Sequence, residues 1–312
     1  MSPRADPRGP LAPCVSLAPE RSAPVTLPPI IDSLDDISAR YDAVFCDLWG
    51  CLHDGVTIHP AAAAALQRYR AQGGVVALFT NAPRPAWSVI EQLAALGAPD
   101  GISDLVVSSG DASRESVRAG DWGDKVHFIG AERDLAFFEG LSVTLVPMED
   151  AQSVICTGLR DDMTEVPEDY ADELRTAQLR RLPMLNANPD VVVDKGDKRL
   201  WCSGALARDY EAMGGTVRTF GKPHAPIYDH GRKLLAKAAG RDIADDRILC
   251  IGDGVMTDLK GALAEGLDCL FVTGGLATAE TGGDPERPDS EKLEAFLRGH
   301  SMMPRWAIGR LR

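Results

Sequence analysis

The sequence predicts an α/β fold in which a doubly wound parallel sheet carries helices on both faces. Short apolar segments of strand length alternate with longer segments of helical character, and residues 43–110 give the order βαβαβ. Several of the predicted strands end in glycines and polar side chains. In open α/β sheets ligands bind at the carboxyl ends of the strands, so a functional site is expected there.

The composition is that of a soluble globular protein, with 45% hydrophobic and 25% charged residues in 312 positions. The formal net charge is −13 and no stripe of lysine or arginine offsets it, which argues against binding to nucleic acid polymers or anionic membranes. No apolar run is long enough to span a membrane. The seven scattered cysteines contain no C-x-x-C pair, which predicts reduced thiols and a cytoplasmic location.

Residues 1–29 are rich in proline and alanine and are predicted to be a disordered extension. They lack the compact apolar run and small-residue cleavage site of a secretory signal. In the short segment that follows, Asp32 or Ser33 is a candidate cap for a helical turn.

The predicted elements of the first half end at glycines, prolines or polar residues. In order they are a strand over 43–46, a helix over 60–72, a strand over 75–79, a helix over 83–96 and a strand over 105–110. A second unit follows from about residue 111, with strands over 125–130 and 153–158, a charged helix over 167–181, an apolar run from residue 184 that ends in Asn188-Pro189-Asp190, and a helix over 203–213. The remaining elements are a helix that ends at residue 239, strands over 247–252 and 268–272, and one amphipathic helix after residue 285.

Polar groups follow four of the predicted strands or loops. They are Asp47, the pair Thr80 and Asn81, Lys222 in Gly-Lys-Pro, and the pair Asp253 and Asp258 in GDGVMTD. Two carboxylates in one glycine-rich turn repel each other unless a cation balances them, which predicts a divalent-metal site. Phosphoryl transfer to a protein carboxylate requires this set: a nucleophile, a hydroxyl with amides for the phosphate oxygens, a lysine and a hard cation.

Each group also has a simpler interpretation when it is taken alone. Asp47 is compatible with an ordinary loop carboxylate, and Lys222 with an exposed loop lysine. Asp258 or Thr257 is compatible with a helix N-cap, although capping does not require Asp253 as well. The order and the combination of the four segments favour the functional interpretation.

With these segments in this order, the chain resembles the haloacid dehalogenase superfamily, and within it the class IIA phosphatases of nucleotides, sugar phosphates and pyridoxal phosphate. The resemblance extends from about Tyr41 to Gly275. It implies that Asp47 is the nucleophile and that Thr80, Asn81 and Lys222 contact the phosphoryl group. It implies Mg²⁺ as the cofactor, with these ligands: Asp47, Asp253, Asp258 and the backbone carbonyl of Trp49.

The resemblance also implies a Rossmann-like core that is interrupted by an inserted α/β cap domain. The implied limits are 30–111 and 219–300 for the core, 112–218 for the cap and 301–312 for a C-terminal tail. Asn188-Pro189-Asp190 is similar to the Asn-Pro-Asp turn of such caps, so Asn188 and Asp190 are predicted to contact the substrate. Caps of this type often form dimers, so a homodimer is also predicted.

One position departs from the family pattern. Phosphatases of this family have a second aspartate two residues after the nucleophile, where it serves as the general acid, and this chain has Trp49. An indole cannot take that role at neutral pH, and a positioned acid or base is worth roughly 10²–10⁴ in rate. Slow turnover of alkyl phosphates is therefore predicted. Trp49 could form an apolar wall, and His53 or Asp54 could supply a displaced acid unless they are solvated loop side chains.

The leading prediction is a Mg²⁺-dependent hydrolase that acts on a small phosphorylated metabolite through an aspartyl-phosphate on Asp47. Two alternatives follow from the loss of the acid at Trp49. One is a non-catalytic, regulatory protein that binds phosphorylated metabolites on the same scaffold. The other is a hydrolase that cleaves a bond other than a phosphate ester.

Overall fold

The computed structural model describes residues 27–196 and 198–312, which form two parallel sheets, one hairpin and flanking helices. The strands are β1 Ala43–Cys46, β2 Val75–Thr80, β3 Leu105–Ser108, β4 Lys125–Ile129, β5 Thr144–Leu145, β6 Ser153–Cys156, β7 Met184–Asn186, β8 Val192–Lys195, β9 Lys198–Trp201, β10 Val217–Thr219, β11 Ile248–Gly252, β12 Asp268–Val272 and β13 Trp306–Ile308. The α-helices are α1 Pro60–Ala71, α2 Ala86–Ala95, α3 Ser109–Arg118, α4 Ala171–Leu179, α5 Ser203–Ala212, α6 Ala225–Ala239, α7 Lys260–Ala264 and α8 Ser290–Gly299.

Shorter helical turns connect these elements. The 3₁₀ turns are Leu34–Asp36, Ser38–Arg40, Glu132–Phe138, Met148–Asp150, Pro167–Tyr170 and Asp245–Arg247, and a π-helical turn, Val255–Leu259, leads into α7. Ser33 caps the first of these turns, as one of the two predicted candidates. No helix in the described part of the chain has both the length and the hydrophobicity needed to cross a membrane.

The core sheet has the strand order β13-β12-β11-β1-β2-β3, and all of its neighbouring strands are parallel. Alternate residues of β1 face opposite sides of the sheet: Phe45 packs in one hydrophobic cluster and Val44 in the other. Helices α3, α6, α7 and α8 contribute buried side chains to the first cluster, and α1 and α2 to the second. Burial on both faces explains why these strands are continuous apolar runs. The predicted α/β class with a doubly wound sheet is confirmed.

The second sheet has the order β10-β7-β6-β4-β5 and is also parallel. It lies between the two halves of the core in the sequence, as expected for an inserted α/β domain. Its limits differ slightly from those predicted. Helix α3 begins at Ser109 and packs on α6 of the core, so the core continues past residue 111. Strand β10 pairs with β7 through Thr219, so the second sheet extends one residue past 218.

Strands β8 and β9 form an antiparallel hairpin that the sequence analysis did not predict. Each strand has four residues, and charged side chains surround the turn at Lys195 and Lys198. These strands therefore offer no continuous apolar run of the kind that marks the strands of the two sheets. The hairpin follows the Asn-Pro-Asp turn directly, and that position brings it to the functional site.

The C-terminal segment 301–312 is not a separate tail, and in this respect the prediction was wrong. Strand β13 pairs with β12 and forms one edge of the core sheet. The backbone N–H of Ala307 donates to the carbonyl of Pro29 at 3.0 Å, and Ile31 N–H donates to the carbonyl of Ala307 at 2.8 Å. Three residues are too short a run to be recognised as a strand before the pairing is known. Residues 1–26 of the predicted N-terminal extension lie outside the described residues.

Candidate active site

A buried ion-pair cluster lies at the carboxyl ends of β1 and β11. The ammonium Nζ of Lys222 is 2.7 Å from Oδ1 of Asp47 and 2.8 Å from Oδ1 of Asp258. It also donates a hydrogen bond of 3.2 Å to the carbonyl of Phe79. Burial by itself opposes the charged form of this lysine, but the carboxylates of Asp258 and Asp47 outweigh that effect and raise the pKa of Lys222. The lysine is therefore a fixed positive charge.

Strand geometry places Asp47 in this cluster. The backbone N–H of Asp47 donates to the carbonyl of Ile251 at 2.8 Å, so the pairing of β1 with β11 continues one residue beyond the strand. The N–H of Leu48 donates to Oδ1 of Asp47 at 2.8 Å. Oδ1 thus accepts from a backbone amide and from Lys222, while Oδ2 carries neither of these bonds.

Asp253 follows β11 and faces the same place. Its Oδ2 accepts a hydrogen bond of 2.8 Å from the N–H of Leu276. Gly50 and Gly275 border this carboxylate so closely that a Cβ at either position would overlap it. Gly50 also has a φ of +73°, which favours glycine. These two glycines therefore make room for the carboxylate.

The donor set fits a hard divalent cation. Three buried carboxylates, those of Asp47, Asp253 and Asp258, face one lysine, so the cluster keeps an excess of negative charge. Burial and the charge of Asp258 raise the pKa of Asp253 to about 7. Oxygen ligands of this kind suit Mg²⁺. The ligand atoms of Asp47 and Asp253 and the Sγ of Cys51 lie within 4.8 Å of one another, and the sequence analysis had not identified Cys51 there.

Asn81, which was predicted to contact substrate, is engaged within the protein. Its Nδ2 donates to Oδ1 of Asp190 at 2.9 Å and to the carbonyl of Lys222 at 3.2 Å. Its Oδ1 accepts from the N–H of Lys222 at 2.7 Å. The amide therefore positions the lysine and connects it to the inserted domain.

The remaining predicted contacts line one cavity of about 380 Å³ between the core and the inserted domain. Asp47, Trp49, Thr80 and Asn81 line it from the core, and Asn188 and Asp190 line it from the inserted domain. Oγ1 of Thr80 accepts a hydrogen bond of 3.1 Å from the N–H of Ala82. Oδ1 of Asn188 accepts one of 3.1 Å from the N–H of Asp190. Burial raises the pKa of the Asp190 carboxyl, and Lys222 and Asn81 partly offset that effect.

Trp49 stands beside the nucleophile and borders this cavity and a second one of about 200 Å³, which Asp253 and Asp258 also line. The ring of His53 meets its indole edge-on, with centroids 5.0 Å apart and planes at 71°. A Cβ at Gly55 would overlap the benzene ring of the indole, so the loop backbone packs directly on Trp49. The loop holds the indole from two sides.

His53 and Asp54, the two predicted replacements for the acid, are both held by hydrogen bonds within the loop. His53 is buried, its Nδ1 accepts a hydrogen bond of 3.0 Å from Gly55 N–H, and burial lowers its pKa to about 4. Oδ1 of Asp54 accepts from the N–H groups of Thr57 and Val56 at 2.7 and 2.9 Å, and such bonds, that from Thr57 first, lower its pKa. At neutral pH the imidazole is uncharged and the carboxylate is ionised, so neither group is a ready proton donor.

Other cavity residues had not been predicted. The hairpin β8–β9 supplies Val193, Leu200 and Trp201 to the larger cavity, and its turn contacts the Trp49 loop through a 3.1 Å hydrogen bond from Gly196 N–H to the carbonyl of Asp54. Arg84 lines the cavity as well, and its Nε lies 3.8 Å from Oδ1 of Asp134. Arg84 follows Thr80-Asn81 closely in the sequence, a signal that could have identified it. The hairpin residues have no such signal.

Comparisons with known proteins agree with this architecture. A family model described as haloacid dehalogenase-like hydrolase matches residues 44–144, and one described as HAD-hydrolase-like matches residues 219–292. The crystal structure of a hydrolase of the haloacid dehalogenase-like family from Brucella suis 1330 is 42% identical, with a TM-score of 0.81 and coverage of 91% of this chain and 100% of that chain. Among curated proteins, none matches.

More distant structures share the fold. A possible sugar phosphatase from Cytophaga hutchinsonii ATCC 33406 is 18% identical, with a TM-score of 0.73 and coverage of 90% of this chain and 98% of that chain. A p-nitrophenyl phosphatase from Archaeoglobus fulgidus is 18% identical, with a TM-score of 0.65 and coverage of 86% and 96%. The fold and the acidic site define a hydrolase with a parallel core sheet and an inserted second domain. The chain belongs to the haloacid dehalogenase superfamily.

Proposed function

We propose that this hydrolase is a Mg²⁺-dependent phosphatase of small phosphorylated metabolites and that it forms an aspartyl-phosphate on Asp47. The observation that carries the proposal is the buried contact of Lys222 with both Asp47 and Asp258, beside the carboxylate of Asp253. The carboxylate nucleophile Asp47 shares one cavity with Thr80, and Lys222 contacts that carboxylate, which suits a tetrahedral anion. Structures that share the fold include proteins named as phosphatases, which supports this choice of substrate class.

In the proposed mechanism, Oδ2 of Asp47 attacks phosphorus because Oδ1 is engaged with Leu48 and Lys222. The bond from phosphorus to the leaving oxygen breaks, and that oxygen keeps the electron pair. Water then attacks the aspartyl-phosphate, inorganic phosphate leaves, and the Asp47 carboxylate is restored. Lys222 offsets the negative charge of the phosphoryl oxygens throughout.

The carboxylates of Asp47 and Asp253 lie close enough together to share one magnesium ion, and we propose Asp258, which lines the same cavity, and the backbone carbonyl of Trp49 as its further ligands. When bound, such an ion supplies positive charge that reduces repulsion between the carboxylate nucleophile and the phosphate. Gly50 and Gly275 leave room for the Asp253 carboxylate, and the N–H of Leu276 holds it for this role.

Trp49 stands where the family has its acid, and neither His53 nor Asp54 takes that role. We therefore expect efficient turnover only of substrates whose leaving groups are stable as anions. Aryl and acyl phosphates meet this condition, whereas alkyl phosphates need the proton.

The test is a Mg²⁺-supplemented assay of p-nitrophenyl phosphate, acetyl phosphate and glycerol phosphate with the wild type and Asp47→Asn. We expect rapid release of phosphate from the first two substrates and a loss of at least about 10⁴-fold in the variant. Asp209→Asn, a half-buried carboxylate on α5 that lines neither cavity, is the matched control and should retain wild-type rates. Equal activity in wild type and Asp47→Asn would exclude the aspartyl-phosphate mechanism.

A second candidate function is a non-catalytic protein that binds phosphorylated metabolites, and the observation that favours it is the replacement of the acid by Trp49, with neither His53 nor Asp54 in its role. Thermal stabilisation by Mg²⁺ with a phosphate analogue, combined with no phosphate release from any member of a broad substrate panel, would support it. Including substrates with other cleavable bonds in that panel tests the remaining alternative, cleavage of a bond that is not a phosphate ester.

Two further expectations, on cellular location and on oligomeric state, accompany the proposal. The cysteines Cys46, Cys51, Cys156, Cys202, Cys250 and Cys269 are free thiols, which suits the predicted cytoplasmic location. A homodimer stays a prediction, which sedimentation or light scattering of the purified protein tests.

A further inference from the structure

Four apolar side chains from two separate parts of the chain meet in the larger cavity. We call them the aromatic wall: Trp49 from the loop after β1, and Val193, Leu200 and Trp201 from the hairpin β8–β9. Trp49 and Trp201 are half-buried, whereas Leu200 is buried. The two tryptophans border open space in the cavity in addition to packing against a hydrophobic core. A ligand is the natural partner for such a surface.

The wall is rigid on its Trp49 side. His53 fixes the edge of the indole, and Gly55 packs so closely on its benzene ring that no side chain fits between. The hairpin is fastened to the same loop by the hydrogen bond from Gly196 to the carbonyl of Asp54. The two parts of the wall are thus fixed relative to each other. A preorganised surface of this kind loses little conformational entropy when a ligand packs on it.

The same cavity contains the reacting groups. Asp47 and Thr80 line it together with the aromatic wall, so a phosphoryl group at Asp47 directs its leaving group into the space that Trp49 borders. In this chain the position of the missing acid is occupied by the wall itself. An apolar leaving group that departs without a proton therefore suits the part of the cavity that the aromatic wall lines.

We propose that the preferred substrates are phosphates whose leaving group is planar and unsaturated, such as phenols, with the ring packed on Trp49 within the aromatic wall. This inference rests on the proposed function. Oδ2 of Asp47 bonds to phosphorus while the bond to the aryl oxygen breaks, and that oxygen keeps the electron pair, which the ring delocalises. The aryloxide later takes a proton from solvent, and water releases phosphate from Asp47.

The test uses three phosphonates that are not hydrolysed, so that binding is measured apart from chemistry. Dissociation constants of phenyl-, cyclohexyl- and methylphosphonate are measured by calorimetry in the presence of Mg²⁺. The phenyl and cyclohexyl groups have similar size but differ in planarity. We expect phenylphosphonate to bind about two- to tenfold more tightly than cyclohexylphosphonate, and methylphosphonate to bind most weakly.

Tryptophan variants test whether the preference for phenyl- over cyclohexylphosphonate arises at the aromatic wall. Trp49→Leu and Trp201→Leu should each reduce the preference for phenyl over cyclohexyl. Trp87→Leu is the matched control because Trp87 is an exposed tryptophan on α2 that does not line the cavity, and it should leave the preference unchanged. The use of two wall variants keeps the test valid if one of them folds poorly.

The outcomes separate the two proposals. Equal binding of phenyl- and cyclohexylphosphonate, or a preference that survives both wall variants, overturns the inference and leaves the aspartyl-phosphate mechanism intact. Conversely, unchanged turnover in Asp47→Asn overturns the mechanism whatever the phosphonates do. The inference is supported by a phenyl preference that both wall variants reduce and Trp87→Leu does not.

Discussion

The two sides of the larger cavity are built on different principles. On one side, a buried charged cluster reaches the cavity through Asp47; in it Lys222 contacts two carboxylates at distances below 3 Å, and every member of that cluster comes from the core. On the other side, the aromatic wall combines one core residue with three from the inserted domain and makes no ion pair within the described residues. In the proposed mechanism the two sides have separate tasks: the charged side performs the transfer, and the apolar side selects the leaving group.

Substitutions on the charged side should reduce the stability of the protein most, and Lys222→Met is expected to have the largest effect. Without its ammonium the carboxylates of Asp47 and Asp258 are buried and unpaired, so we expect a loss of about 3–5 kcal/mol in the free energy of unfolding without metal. Urea denaturation measures it, and added Mg²⁺ should restore part of the loss. Lys195→Met, an exposed lysine of the hairpin, is the control. Similar stability of the two variants would contradict the comparison.

Restoring the acid should convert the apolar side into a catalytic one. Trp49→Asp supplies a carboxyl near the leaving oxygen, so we expect turnover of glycerol phosphate to rise by roughly 10²-fold. Turnover of p-nitrophenyl phosphate should change much less, because its leaving group does not need the proton. The ratio of kcat/KM for the two substrates is the measurement. A parallel change for both substrates would mean that Trp49 does not occupy the position of the acid.

His53 tests how firmly the loop holds Trp49 as the pH falls. Burial lowers the pKa of His53 to about 4, below the usual value near 6.5, so the unfolded chain binds a proton first as the pH falls. Stability from this group is therefore full above about pH 6.5 and is lost towards pH 4, by up to about 3 kcal/mol. Urea unfolding of wild type and His53→Asn between pH 7 and pH 4 measures it. Parallel curves for the two proteins would contradict the assignment.

Gly55→Ala should disturb only the aromatic wall, with the smallest effect. The new Cβ would overlap the indole of Trp49, and the φ of +81° is unfavourable for alanine, so we expect about 1–2 kcal/mol of destabilisation. The selectivity for phenyl- over cyclohexylphosphonate should fall as the ring shifts. Gly120→Ala shares the positive φ but has no neighbour within 4 Å, and it separates strain from displacement of Trp49. Equal selectivity in both variants would show that Gly55 does not fix the ring.

The sequence predicted the charged side better than the apolar side for a physical reason. Asp47 and Asp253 each follow a continuous apolar strand and Thr80 ends one, and parallel strands bring their carboxyl ends together whatever the details of packing. Lys222 was identified, and its role was predicted, from the set of groups that phosphoryl transfer requires. No local pattern predicted that Leu200 or Trp201 lines the cavity. Both lie on the four-residue strand β9, and only the contact of the hairpin with the Trp49 loop brings them there.

The role of Asn81 was also beyond a sequence prediction. An amide after a strand suggests a ligand contact, but here both of its amide hydrogens are directed to Asp190 and to the backbone of Lys222. Similarly, β13 is recognisable only once β12 and the segment at Ile30 are seen on either side of it. In both cases the deciding information is a long-range partner, which a local pattern does not contain.

The amide of Asn81 has a mechanical consequence. The Asn81 amide hydrogen-bonds to both the carbonyl and the N–H of Lys222, and its Nδ2 also donates to Asp190 of the inserted domain. Any displacement of Asp190 relative to the core would break this hydrogen bond and would act on the backbone of the residue that carries the ammonium. The position of the inserted domain and the position of Lys222 are thus coupled through a single side chain.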